Sequence, residues 1–527
     1  MLSNSPIIPE FMMYESELDK SEIEEIGNRL AACGRSTMDR FLVFTDILIE
    51  YVGGGEWRNR SPAFLAMCGK ACFLRGKYGY NQILGRESQN LSCKGYAAAA
   101  YCRQSLDPRW LNNLRNIMNQ TWQTKDYVVF AELSGELASV LMDLGYTDHA
   151  RETASESIER VTLATSQNHD IRSMVQAALL RPRIILAFIS GFSDSYEEAL
   201  IRLDSAYDTA KLLDHQLALN DIRYYRARAL EEMLEHDRAM ALVNTSLRQY
   251  EKMGYVKGVA DARNLRGVIH TNTGELQDAR DQFEELLLIQ QQLNNQVGLA
   301  STLINVGEID RTLDQIDQME IYNRRALEIS QEAEYMRGIT IATVNLGDVA
   351  LQRGDVQEAL RLYEDAIRLA EGAGMKQLLS ITYSQAGDAH YLSQNLNSAV
   401  HNYERARDVA VEVAHRLYAF NAEVSLLVTK WSMDDTSDTG LHRKIQQIIG
   451  PSSEWLAADD SQLMGSVRRA VLEDPASESE LCIFYDGEKN FVCRVERQGL
   501  RKECFGNLFW MGSLCPHFRD FLTKLEG

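Results

Sequence analysis

The sequence predicts an all-α fold, a helical-hairpin solenoid carrying a small C-terminal β-meander plus helix. Three observations predict it. Four glycines, Gly267, Gly307, Gly347 and Gly387, recur at equal intervals. A fixed period of this length, about 40 residues, marks stacked supersecondary units. Only 8 prolines occur, none between Arg183 and Gly450, as a helical array requires. Beyond residue 480 the pattern changes to short apolar runs separated by Asp486-Gly487 and Gln498-Gly499, which are hairpin turn signals.

Further columns accompany the glycines. Seven residues on stand Gly274, Asp314, Gly354 and Gln394, types that suit the end of a first helix and tolerate positive φ. Twelve residues on stand Ala279, Met319, Ala359 and Ala399. Sixteen on come Phe283, Asn323, Tyr363 and Tyr403, and nineteen on Leu286, Ala326, Ala366 and Ala406. The small residue and the aromatic four positions later share one face of a second helix. The glycine belongs to the first helix, where a neighbour passes too close for a Cβ. The run Asn345-Leu346-Gly347-Asp348, Gly354-Asp355, Ala359, Tyr363, Ala366 carries the whole pattern.

This pattern resembles the tetratricopeptide repeat, in particular its type of about 40 residues seen in kinesin light chains, spindle-orientation adaptors and bacterial peptide receptors. It is complete at Gly347 and Gly387, good at Gly267 and degraded at Gly307. The resemblance implies a right-handed solenoid whose first helices line a concave groove.

The elements are expected in this order. Residues 1–20 form a poorly ordered lead, and 21–126 a helical segment. Ser21 caps its first helix with Glu24 in a capping box. A second helix runs from Thr37 to Val52 and stops at Gly53-Gly54-Gly55. Those glycines precede no Gly-Lys-Ser/Thr and follow no strand, so they form a linker and not a phosphate loop. A helix covers Pro62–Leu74, a loop follows to residue 90, and two helices break at Asp107-Pro108. The solenoid occupies 127–430 as about seven hairpins. Residues 431–479 hold short helices and a linker, and 480–527 the meander, with Pro516–Leu525 as its helix.

Composition narrows the function. The net charge is −20 and the pI near 5.1. An acidic surface disfavours nucleic acid and anionic membranes. No run is apolar for long enough to cross a bilayer, so no membrane span is expected. The first residues lack a basic and then apolar leader, so no signal peptide is expected either. Nine scattered cysteines point to free thiols in a reducing compartment, and the expected location is cytoplasmic.

No catalytic residue, cofactor site or metal site is predicted. Gly-x-Ser-x-Gly and His-Glu-x-x-His are absent. In the tail Cys482, Cys493, Cys504 and Cys515 recur at equal spacing. They would face one another across strands, as buried core or as a metal or redox row. The stronger candidate is the groove. Two positions before the glycine column stand Asn305, Asn345 and Gln385, and one after it Glu308, Asp348 and Asp388. An amide can donate to a backbone carbonyl and accept from an N–H. In the peptide-binding relatives that the pattern resembles, asparagines at the first position clamp a ligand backbone. The acids would favour lysine or arginine on the partner. The positions used by the family's carboxylate clamp hold Ile304, Val344 and Ser384, which are not basic.

The expected function is thus a protein–protein interaction scaffold that binds a peptide or extended segment in the groove. The alternatives are a signalling or transcriptional regulator with a terminal reporter, for instance a winged-helix-like element over 450–505 with Arg468-Arg469, and an enzyme whose site lies in 56–122.

Overall fold

The computed structural model describes residue 11 and residues 18–433, apart from 32–36, 105–107, 167–170, 192–195, 234, 314 and 414–415. Every regular element among them is helical, and none is a strand. The expected all-α fold with a β-meander is corrected in that respect: the described residues are all-helical. The meander, its helix and the four tail cysteines lie outside them, as do the expected linker helices.

The helices are α1 (Lys20–Ala31), α2 (Thr37–Gly54), α3 (Pro62–Leu74), α4 (Tyr78–Glu87), α5 (Leu91–Gln104), α6 (Pro108–Gln123), α7 (Tyr127–Asp143) and α8 (Thr147–Thr165). Then follow α9 (Arg172–Ala178), α10 (Leu180–Ser190), α11 (Tyr196–Leu212), α12 (Gln216–Glu232), α13 (His236–Met253), α14 (Val256–Asn272), α15 (Leu276–Gln292) and α16 (Gln296–Thr312). The last are α17 (Ile316–Glu332), α18 (Met336–Gln352), α19 (Val356–Gly372), α20 (Lys376–Leu392), α21 (Leu396–Glu412) and α22 (Arg416–Met433). The chain divides into two compact units, Met1–Ile309 with Ile329–Tyr335, and Asp310–Glu328 with Met336–Gly527.

In the first unit the paired helices are α7 with α8, α10 with α11, α12 with α13, and α14 with α15. The glycine column explains the pairing. A Cβ on Gly267 would lie 2.5 Å from Phe283 of α15, so the ring of the second helix rests on the bare backbone of the first. A second periodic signal ends the second helices of the array. Asp214, Gly254, Asn294, Glu334 and Gly374 all have positive φ and stand one repeat apart.

The N-terminal helices fold back onto later repeats of the same unit. Helix α2 packs against α13. Gln104 donates to the Leu293 carbonyl at 3.1 Å across 189 residues, and Lys257 pairs with Asp143 at 3.2 Å. The expected loop after Leu74 is in part a helix, α4, held by Asn81, whose amide donates to the Gly69 carbonyl at 2.7 Å. The expected Ser21–Glu24 capping box is displaced toward the N-terminus. Asp19 accepts from the Glu22 N–H at 2.8 Å, and the Glu22 carboxylate accepts from the Asp19 N–H at 3.1 Å. Glu22 also accepts from the Ser61 hydroxyl at 2.7 Å, which ties α1 to the start of α3.

In the second unit α18 pairs with α19 and α20 with α21, and α22 packs on α21. Gly347 faces Tyr363 and Gly387 faces Tyr403, each with a virtual Cβ 2.6 Å from the ring. The turn column behaves as expected at Gly354, with φ of 83°, and at Gln394, with φ of 62°. No single helix among the described residues is long and apolar enough to cross a membrane; the bent pair α9–α10 passes that test together, and α10 is largely core.

Candidate functional site

The six residues expected to line a groove fall in both units. Asn305 and Glu308 lie on α16 in the first, and Asn345, Asp348, Gln385 and Asp388 on α18 and α20 in the second.

The acids are built into a repeated device. The Tyr363 hydroxyl donates to Asp348 Oδ1 at 2.5 Å, and the Tyr403 hydroxyl donates to Asp388 Oδ1 at 2.5 Å. The ring that fills the glycine gap thus orients the acid next to that glycine. Both phenols are fully buried, and burial first, then the neighbouring carboxylate, pushes their pKa values well up. Asp388 is half-buried. Loss of hydration raises its pKa to about 7 against the opposing Tyr403 hydrogen bond, and Asp348 adds to the rise.

The amides share one arrangement. Asn305 donates through Nδ2 to Asn264 Oδ1 at 3.0 Å. Asn345, 9% exposed, donates through Nδ2 to Asn323 Oδ1 at 2.9 Å. Gln385 donates through Nε2 to both Asp348 oxygens at 2.9 Å. Each NH2 end is therefore tied to a neighbouring helix of its own unit. Among the described residues no donor reaches the carbonyl oxygen of any of the three, and Gln385 Oε1 is buried in that state. A buried acceptor without a donor is costly, so this oxygen is ready to accept an N–H.

Sequence reading missed a buried ionic network in the first unit. Glu136 on α7 pairs with Arg103 of α5 and, at 3.0 Å, with Arg181 of α10. Arg181 also reaches Asp221 of α12 at 3.4 Å and the Ser139 hydroxyl at 3.2 Å. Asp221 accepts from the Tyr250 hydroxyl at 2.6 Å, and burial raises its pKa to about 6 despite Arg181. Lys257 bridges Asp143 and, at 2.8 Å, Asp261. The available signal was a column of charge, since Arg181, Asp221 and Asp261 occupy the same position in successive repeats.

Among the described residues His270, Glu275 and Asp278 bring ligand atoms within 4.8 Å of one another. His270 Nδ1 and Glu275 Oε2 stand 2.5 Å apart, an imidazole–carboxylate pair across the α14–α15 turn. Cys68, Cys72, Cys93 and Cys102 are buried free thiols, and burial pushes Cys93 up to about 12.

Helical hairpins recurring at a fixed period define a helical-repeat protein. Residues 259–296 and 339–410 each match a family model of the tetratricopeptide repeat. The chain carries tetratricopeptide repeats over those stretches. No curated protein matches it. Solved structures to which it is similar include the Rap conjugation gene regulator of plasmid pLS20 in complex with the Phr* peptide, 14% identical over 67% of this chain and 97% of that one, with a TM-score of 0.44. Another is the apo form of the quorum sensor NprR from B. thuringiensis, 13% identical over 69% of this chain and 97% of that one, TM-score 0.44. A third is a Rap protein complexed with competence and sporulation factor, 14% identical over 58% of this chain and 98% of that one, TM-score 0.39.

Proposed function

We propose that the protein is an interaction scaffold whose first helices hold an extended segment of a partner protein. The observation that carries this reading is the shared state of the three amides. Asn305, Asn345 and Gln385 have their NH2 ends tied down and their carbonyl ends without donors. Side chains fixed in this way lose little freedom on binding, so a backbone N–H gains most of the bond. Each such bond contributes about 0.5–1.5 kcal/mol. Asp348 and Asp388 favour a basic side chain beside that backbone, more so above pH 7, where Asp388 is ionised. Glu308 plays the same part on α16.

The test is selection of a displayed peptide library on the full chain, followed by titration of a selected peptide. Gln385→Met keeps the length of the side chain and removes the acceptor, and Asn345→Ala removes the acceptor on α18. Each should weaken binding several-fold. Asp348→Asn with Asp388→Asn should flatten the salt dependence, because screening acts on charge and not on amide bonds. Peptides that bind all three variants as they bind the parent would place the site elsewhere.

A further inference from the structure

The other face of the first helices carries a different pattern. Continued back one repeat at a time, the glycine column reaches Ala227 and Ala187. Four residues before it stand Arg183, Arg223 and Arg263, and one before it Arg226 and Arg266. In the second unit the same positions hold Thr343 and Leu346, then Tyr383 and Ala386. The arginines sit on α10, α12 and α14, which are successive first helices of the first unit. Two of them turn toward the second helices. Arg226 pairs with Asp204 and covers Tyr207 of α11 at 5.0 Å, and Arg263 pairs with Glu251 of α13 at 3.1 Å and with Glu285 of α15.

The remaining three have no paired carboxylate. Among the described residues Arg183 and Arg266 make no hydrogen bond or ion pair, and Arg223 meets only the Asn220 amide oxygen, at 2.6 Å. All three are half-buried. Burial alone lowers the Arg183 pKa, and burial is the first cause of the lowering at Arg223 and Arg266. In a chain with 75 acidic and 55 basic side chains, three partly desolvated guanidinium groups in neighbouring repeats make no ion pair, and at Arg266 burial and Arg263 outweigh the pull of Glu285, Glu251 and Asp278. A half-buried cation gains most when an anion arrives, and the guanidinium fork matches a carboxylate with two bonds.

We propose that this row of arginines is a docking surface for an acidic, Asp- and Glu-rich segment of a partner protein. The surface is separate from the amide ladder and takes a partner of opposite charge. One carboxylate per repeat would meet Arg183, Arg223 and Arg266 in turn, while Arg226 and Arg263 keep their own acids.

The probe is a fluorescein-labelled peptide of alternating Glu and Ala, read by anisotropy on the full chain at low and high salt. Its control carries Gln in place of Glu. The Glu peptide should bind at least about tenfold tighter than the Gln peptide, and the difference should shrink with salt. The triple variant Arg183→Gln, Arg223→Gln, Arg266→Gln should lose that preference, whereas the triple Arg→Lys variant should keep most of it. Circular dichroism checks that each is folded. If the triple variant is not, Arg183→Gln alone, which breaks no bond, should weaken binding about threefold. Equal binding of the Glu and Gln peptides would overturn the proposal. So would a folded triple Gln variant that binds as the parent does. A single-stranded oligonucleotide that binds tighter through the same arginines would make the row a phosphate surface, which also overturns it.

Discussion

Replacing Gly347 by alanine tests the packing that defines the repeat. The added Cβ would lie 2.6 Å from Tyr363 Cε1 and 2.9 Å from Cδ1. The ring cannot yield freely, because it is fully buried and its hydroxyl is fixed on Asp348 at 2.5 Å. Overpacking of this kind costs about 1–3 kcal/mol. Alanine in place of glycine in a helix returns about 0.8–1.0 kcal/mol, so the two effects partly cancel. Gly372 separates them. It ends α19 with nothing within 4 Å of its virtual Cβ, so Gly372→Ala feels only the helix preference. The first substitution should destabilise and the second stabilise, with a gap of about 1–3 kcal/mol between them. Stacked repeats need not unfold together, so urea unfolding by circular dichroism should be paired with hydrogen exchange across 336–372. Equal shifts for the two substitutions would refute the glycine–tyrosine contact as the reason for the column.

Three further outcomes are expected. Asp388 has a folded pKa of about 7 against an ordinary 3.8, so the folded state holds a proton that the unfolded chain has released between those values. That contribution is complete below about pH 4 and lost as pH rises through about 7. Asp388→Asn should therefore gain on the parent between pH 5 and pH 8 in urea midpoint, and an unchanged offset would remove the raised pKa. Tyr363→Phe deletes a hydrogen bond to a carboxylate and should cost about 1.5–3 kcal/mol; a neutral result in the same unfolding assay would count against the tyrosine–acid device. Arg181→Met leaves Asp221 without its cation and removes one of the two held by Glu136. It should cost about 3–5 kcal/mol, measured by thermal melting, and a loss below about 1 would mean that water already screens the network.

The repeat was legible because each column encodes a local steric fact. Gly347 with Tyr363, and Gly387 with Tyr403, are one contact written twice. The turns were legible for the same reason at Gly354 and Gln394. Helix α4 was not, because its stabilising bond from Asn81 to Gly69 depends on the packing of α3 against α4 and not on any pattern within residues 78–87. The cap at Asp19 was missed through a competition between two acceptable boxes close together in sequence; the Ser61 hydroxyl decides it by holding Glu22. The six residues expected in the groove could be named from the sequence as residue types, but their bonds could not. That Asn345 donates to Asn323 and Gln385 to Asp348 follows from residues 22 and 37 positions apart in sequence.

One register, read along the whole array, shows where the chain places its charge. Six residues before the glycine column the chain carries Arg181, Asp221, Asp261, Ser301, Ile341 and Ile381 in successive repeats. The early members are charged and bonded to one another or to Lys257, so they stabilise the first unit from within. The late members are apolar. Polarity moves to the positions two before and one after the column, where Leu265 and Val268 give way to Asn345 and Asp348, then Gln385 and Asp388. There Gln385 is held by its NH2 and has a buried carbonyl oxygen without a donor among the described residues, the state that Asn81 of α4 also has. On the proposed function a ligand N–H would complete the Gln385 side chain, and Gln385→Met tests that directly.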